Sequence, residues 1–65
     1  MSKVRAYLLP CGKRFRHERT RWFIEEPLER LDGWIAFYRK MAVKRPKIYG
    51  PDYAALRVLK AQVQS

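Results

Sequence analysis

Residues 27–45, with the sequence PLERLDGWIAFYRKMAVKR, decide the fold, because they are the one long stretch whose apolar residues repeat at helical spacing. Pro27 suits the first helical position, acidic residues lie near the start, basic residues lie near the end, and Pro46 stops the helix. The pattern predicts a helix over 27–45 that carries most of the core, with Ile35 facing a sheet. Gly33 inside this helix indicates either close approach of the sheet or a tolerated imperfection.

Before this helix, the chain has the features of an antiparallel hairpin. Apolar and polar residues alternate over 3–9, which predicts a first strand, and Pro and Gly within 10–13 predict a turn. A second strand is predicted with its best part at 20–24. Residues 3–25 would then form a hairpin with a long, basic tip.

After the helix, residues 46–52 contain two prolines and a glycine and are expected to be a linker. Residues 53–63 favour a second helix by composition, although a third strand would complete a small sheet. The predicted class is α+β in a single domain over 1–65. Its architecture is an antiparallel β-hairpin packed by one central α-helix, with a C-terminal second helix or, alternatively, a third strand giving β-β-α-β.

Size and composition exclude several kinds of protein. With 65 residues and 48% hydrophobic residues, the chain is a small folded domain that can rarely enclose a ligand pocket, so no small-molecule substrate is expected. Cys11 is the only cysteine, which excludes an internal disulfide and predicts a free thiol in a reducing compartment. No apolar run approaches the ~20 residues of a membrane span. We therefore expect a cytoplasmic protein with no membrane partner, which is monomeric or weakly associated.

The strongest functional signal is positive charge. Fifteen Lys and Arg against six acids give a net charge of +9, which predicts an anionic partner. Ten of the cations lie in two short segments. The first basic segment, residues 13–21, contains Lys13, Arg14, Arg16, Arg19 and Arg21, and the second basic segment, residues 39–47, contains Arg39, Lys40, Lys44, Arg45 and Lys47. A helix that returns along a hairpin would bring both segments to one end of the molecule.

Aromatic residues lie among these charges and could serve as anchors for a partner. Phe15 is expected to be exposed because charged residues flank it, and Tyr49 and Tyr53 are further candidates. The other large aromatic residues are assigned to the core: Trp22, Trp34, Phe37 and Tyr38.

Catalysis finds little support in the sequence. Cys11 and His17 lack a third residue that would orient the histidine, and they are too few to bind zinc. His17 is expected to be an ordinary polar loop residue. The three glycines are isolated, so no phosphate-binding loop is present, and we expect no catalytic residues, metal or cofactor.

Two functions fit these observations. The first is a non-enzymatic nucleic-acid-binding module, DNA ahead of RNA, that uses the two basic segments to bind phosphates. The alternative is a small modulator or inhibitor of the phage or mobile-element type, which would dock on an acidic surface of a host enzyme or regulator. Both functions require a cationic surface, so the sequence leaves them open.

Overall fold

The computed structural model describes residues 4–64, which form a three-stranded antiparallel sheet covered on one face by two helices. The strands follow the order β1-β2-β3 in the sheet. The elements are β1 (Arg5–Leu8), β2 (Arg14–Glu18), β3 (Phe23–Pro27), a short 3-10 helix (Leu28–Arg30), α1 (Leu31–Lys44) and α2 (Pro46–Gln64). The predicted α+β class is confirmed.

The sheet differs from the predicted hairpin, because the expected basic tip is its central strand. β2 pairs with β1 through His17 opposite Ala6, and with β3 through His17 opposite Ile24. Residues 19–22 connect β2 to β3, so 20–22, expected within the second strand, lie outside the strands. The predicted strand position is wrong because charged residues occupy the outer face of β2 and alternate with buried residues. A segment with so many charges is typical of a loop by composition.

The turn between β1 and β2 is where the sequence predicts it. Gly12 has a φ of 74°, a left-handed conformation that favours glycine, and its amide donates to the Leu9 carbonyl at 2.9 Å. Cys11 is exposed in this turn with a free thiol, as expected. A hydrogen bond from the backbone amide of Lys13 contributes most to lowering the pKa of Cys11 below its ordinary value.

The predicted central helix is confirmed with shorter bounds. Pro27 does not begin it, because this residue is extended, with φ −58° and ψ 144°, and pairs with Arg14 as the last residue of β3. The α-helix follows the 3-10 helix and ends at Lys44. Arg45, with φ −140° and ψ 75°, breaks the helix immediately before Pro46. The residue before a proline avoids helical geometry because of a steric clash with the proline ring.

The predicted linker over 46–52 is wrong, because α2 already begins at Pro46. Proline at the first position of a helix loses no hydrogen bond, so Pro46, which prevents α1 from continuing, can begin α2. Pro51 lies inside α2, and Gly50 before it has no Cβ to clash with the proline ring. The C-terminal segment is therefore helical rather than a strand, as its composition favours. Within residues 4–64, no helix combines the length and apolar character needed to cross a membrane.

The core lies between the sheet and both helices. It consists of the buried side chains Phe15, Leu31, Tyr38, Leu56 and Leu59. Ile35 and Trp34 pack at the edge of this core and are only half-buried, so Ile35 is not the central core residue that the sequence suggests. Trp22 and Phe37 are 42% and 48% exposed, and their assignment to the core is wrong.

Close approach of the sheet does not explain the glycine at position 33. A Cβ built at this position would meet no heavy atom within 4 Å, so the expected contact with the hairpin is absent. Glycine costs a helix roughly 1 kcal/mol relative to alanine. The packing of residues 4–64 therefore gives no reason for this cost.

Leu56→Ala tests the position of the core. The Leu56 side chain is fully buried, so its truncation should lower the free energy of unfolding by about 2–5 kcal/mol, measured by denaturant titration. Val58→Ala in the same helix is the matched control, because Val58 is 58% exposed and its truncation should change stability by about 0.5 kcal/mol or less. Equal effects of the two changes would contradict this packing.

Candidate functional site

A buried polar cluster joins the sheet to the start of α2. His17 Nε2 on β2 lies 2.7 Å from Asp52 Oδ1, and both side chains are fully buried. Arg19 Nε donates to the same oxygen at 3.1 Å, and Arg19 Nη2 donates to Asp52 Oδ2. Nη2 also donates to the Ile48 carbonyl at 2.8 Å. A buried carboxylate is thus held by two partners, as burial of a charge requires.

The surroundings of His17 show that this cluster is closed. Its ring contacts Trp22 and Tyr38 edge-on, at centroid distances of 5.4 and 5.2 Å. Its Nδ1 is buried and has no hydrogen-bond partner among the described residues. Since no part of the ring is exposed to solvent, the cluster connects structural elements and offers no open site for chemistry. The expectation that His17 is a polar loop residue is wrong.

Sequence reasoning also missed Asp52. This residue falls between Tyr49 and Leu56 on one face of α2, at the spacing of three and four residues that marks the buried stripe. An acid within such a stripe is the signal that could have identified it. The two prolines and the glycine of 46–52 predict a linker instead, and a linker residue gives no reason to expect burial.

The cluster shifts the pKa values of two neighbours. The hydrogen bond to Asp52 is the main cause that raises the pKa of Arg19 above its ordinary value. Burial raises the pKa of Tyr38 above its ordinary value, and the nearby charge of Asp52 adds to that shift. Arg19 therefore remains a cation, but its charge is used to neutralise Asp52.

Asp52→Ala should be strongly destabilising. It leaves the His17 ring and the Arg19 guanidinium without their shared acceptor, and breaking a buried pair in this way costs about 3–5 kcal/mol. Asp32→Ala is the matched control, because Asp32 pairs with Lys60 at the surface, where such pairs contribute about 1 kcal/mol or less. Thermal melts compare the two, and a similar loss in both variants would contradict a structural role for the cluster.

Tyr38 should make stability sensitive to alkaline pH. Because its native pKa is raised, the native state binds the phenol proton more tightly than the unfolded chain does. The resulting stabilisation is present below about pH 10, the ordinary pKa, and is lost as pH rises through the native value. Urea titrations between about pH 8 and about pH 11 should show the parent losing stability relative to Tyr38→Phe. Parallel pH curves would rule out this contribution.

On the outer face of the sheet, part of the first basic segment is paired with other groups of the same protein. Arg16 lies 3.3 Å from Glu18 and 3.5 Å from Glu25, and its guanidinium lies 3.7 Å from the centre of the Phe23 ring. Arg14 Nη2 donates to the Glu25 carbonyl at 3.1 Å. Acids thus offset cations on this face, and Arg16 is not free to bind an anion in the way the sequence suggests.

The two basic segments do not converge as a whole. Arg14 lies opposite Pro27 at one end of the sheet, while Arg19 reaches Ile48 near the end of the sheet where α2 begins. Lys13 precedes Arg14, so it is separated from Arg19 by roughly 20 Å of extended chain. Only the C-terminal part of the first basic segment approaches the second.

The second basic segment is fully available at the surface. All five of its cations are exposed, and within residues 4–64 none of them takes part in an ion pair. These cations are Arg39, Lys40, Lys44, Arg45 and Lys47. On α2, Arg57 is exposed beside Tyr53, with its guanidinium 5.7 Å from the ring centre. Lys60 pairs with Asp32 at the far end of the helix pair.

A groove of about 560 Å³ runs between α1 and α2 on the side of the helices away from the sheet. Its apolar part includes Ile35, Val43 and Tyr53. Cations also line this groove: Arg39, Lys40, Lys44 and Lys60. The acid Asp32 also lines the groove and pairs with Lys60, so the surface has an apolar centre and a rim that is positive except at this end.

The predicted aromatic anchors divide into two groups. Phe15 is fully buried at the centre of the core, so its expected exposure is wrong and it cannot contact a partner. Its neighbours in sequence are charged because they face the opposite side of the sheet. Tyr49 and Tyr53 are half-buried beside the core, and Tyr53 also lines the groove.

Comparisons of the chain with protein families, curated proteins and solved structures found no match. Within residues 4–64, no three His, Cys, Asp or Glu side chains lie together as a metal site would need. The charge distribution and the exposed side chains are therefore the features that indicate a function.

Proposed function

We propose that this protein is a non-enzymatic nucleic-acid-binding module, DNA ahead of RNA, that binds phosphates through its two helices. The observation that carries the proposal is the charge of residues 33–64. They contain seven cations and a single acid, Asp52, which is fully buried and paired. We name these seven cations the basic helical face: Arg39, Lys40, Lys44, Arg45, Lys47, Arg57 and Lys60.

The separation of charge favours a polyanion over a single small anion. The exposed and half-buried acids lie in the sheet, the 3-10 helix and the start of α1: Glu18, Glu25, Glu26, Glu29 and Asp32. An approaching polyanion is therefore attracted more strongly to the helices than to the sheet, where acids offset most of the positive charge. Arginine and lysine that neutralise phosphates also release condensed counterions, which makes such binding favourable and dependent on salt.

The first basic segment has a smaller part in this proposal. Arg16 and Arg19 are engaged with acids of the same chain. Lys13, Arg14 and Arg21 are exposed and contribute to the long-range attraction of the positive net charge. Direct phosphate contacts are assigned to the basic helical face.

The groove between the helices favours a second candidate, docking on an acidic protein surface as a modulator or inhibitor. Its apolar residues Ile35, Val43 and Tyr53 would receive apolar side chains, while the surrounding lysines and arginines would pair with acids. An acidic segment with apolar residues at helical spacing is the partner that fits this surface. Phosphates alone would leave Val43, which is 80% exposed, without a role.

The salt dependence of binding tests the first proposal. Lys44→Ala with Arg45→Ala should reduce the slope of log K against log salt for duplex DNA by roughly 1.8, since each lost phosphate contact changes it by about 0.9. The matched control is Lys13→Ala with Arg14→Ala, which removes the same charge at the other end of the sheet and should change the slope much less. Fluorescence anisotropy of a labelled duplex measures both.

Two results would contradict the proposal. Equal slope changes in both double variants would show that only net charge matters. If micromolar protein fails to bind duplex or single-stranded nucleic acid at about 150 mM salt, where even non-specific binders bind, nucleic acid is not the partner. Capture of an acidic protein from lysate after nuclease treatment, lost in Val43→Asp, would then favour the docking function.

A further inference from the structure

Two aromatic rings, the exposed Phe37 and the half-buried Trp34, form a corner on α1, and neither ring lines the groove. The Phe37 and Trp34 rings are nearly perpendicular, at 87°, with their centres 6.0 Å apart. Phe37 also packs edge-on against the buried Tyr38 ring at 5.2 Å, yet 48% of its surface is exposed. The rings are therefore held in place by their neighbours, while part of Phe37 remains available to a ligand.

The corner opens into a hollow of about 500 Å³ that Gly33 helps to line. A Cβ at Gly33 would meet nothing within 4 Å, so the space beside this residue is open. Packing within residues 4–64 does not require a glycine there. A flat ligand that approaches the helix backbone beside Trp34 and Phe37 would require one, because any side chain would project into its space.

Cations surround these rings. Lys40 and Lys44 follow Phe37 by three and seven residues, which places them on the same side of α1. Arg30 precedes Phe37 by seven residues and lines the hollow together with Glu29. Lys40 and Lys44 belong to the basic helical face, so a phosphate chain bound there passes close to the aromatic corner.

We propose that this corner binds an unpaired nucleobase, which stacks on Phe37 while the cations hold the flanking phosphates. The inference rests on the proposed function and makes it more specific, because it predicts a preference for single-stranded nucleic acid or for unpaired bases. Stacking on an aromatic side chain tolerates any base, since every base has a π face. Arg30 and Glu29 offer a hydrogen-bond donor and an acceptor to the edge of the bound base.

Oligonucleotides without bases separate this inference from the proposed function. A single strand and the same strand composed of abasic nucleotides carry equal phosphate charge, so the basic helical face should bind both. The strand with bases should bind more tightly by roughly 5- to 150-fold, the range for a single base stacked on an aromatic side chain. Equal affinity overturns the nucleobase site and leaves phosphate binding intact. Binding of neither strand overturns the proposed function and the site with it.

Two variants assign the difference to the corner. Phe37→Ala should remove most of the preference for the strand with bases while leaving the affinity for the abasic strand unchanged. Gly33→Ala should reduce the same preference without lowering the melting temperature, because alanine favours the helix and meets no atom of the protein. Val58→Ala, an exposed apolar truncation on α2, is the control and should leave both affinities unchanged. An unchanged preference in Phe37→Ala or Gly33→Ala, each confirmed as folded, overturns the site.

Tryptophan fluorescence gives a direct measurement. In a Trp22→Phe background, Trp34 is the only tryptophan and reports on the corner. Its emission should change on titration with the strand that has bases and much less with the abasic strand. Identical changes with both strands would show that the rings respond to phosphate binding alone and would overturn the proposal.

Discussion

The buried carboxylate of Asp52 is the constraint on which the rest of the structure depends. It accepts hydrogen bonds from Arg19 and lies beside His17, so one side chain of α2 ties together the central strand and the segment that follows it. The tie holds a helix turn that contains Gly50 and Pro51, which are poor helix formers by themselves. It also places the only acid of residues 33–64 inside the protein, where it does not reduce the positive surface potential.

The sheet and the helices therefore differ in electrostatic character. On the outer face of the sheet, cations are paired with glutamates, and Arg16 is held between two of them. On the helices, the cations point into solvent without partners in residues 4–64, except Lys60. Unpaired cations repel one another and reduce stability, a cost that is common where a surface serves to bind an anion. This difference is the physical basis for the proposal that a partner binds to the helices.

The sequence predicted the parts of the fold that local patterns determine. The helix over 27–45 and the helical character of 53–63 followed from spacing and composition, and the turn at Gly12 followed from its residues. The central strand was missed because charged residues alternate with Phe15 and His17, and one ion-pair partner of Arg16, Glu25, lies on another strand. The second basic segment is exposed at the end of α1 and the start of α2, whereas the sequence placed Lys47 in a linker. The neutralisation of Arg19 depends on Asp52, a contact distant in sequence that no local pattern contains.

The single residue Arg45 between the two helices has a geometric consequence. With no flexible loop at this corner, the rotation of α2 about its own axis is coupled directly to that of α1. One inserted residue would turn α2 by about 100°, enough to carry Asp52 away from His17 and Arg57 away from the outer surface. The distance along the chain from Tyr38 to Asp52 is therefore fixed by geometry, and natural variation in length should be confined to the strand connections and the two ends of the chain.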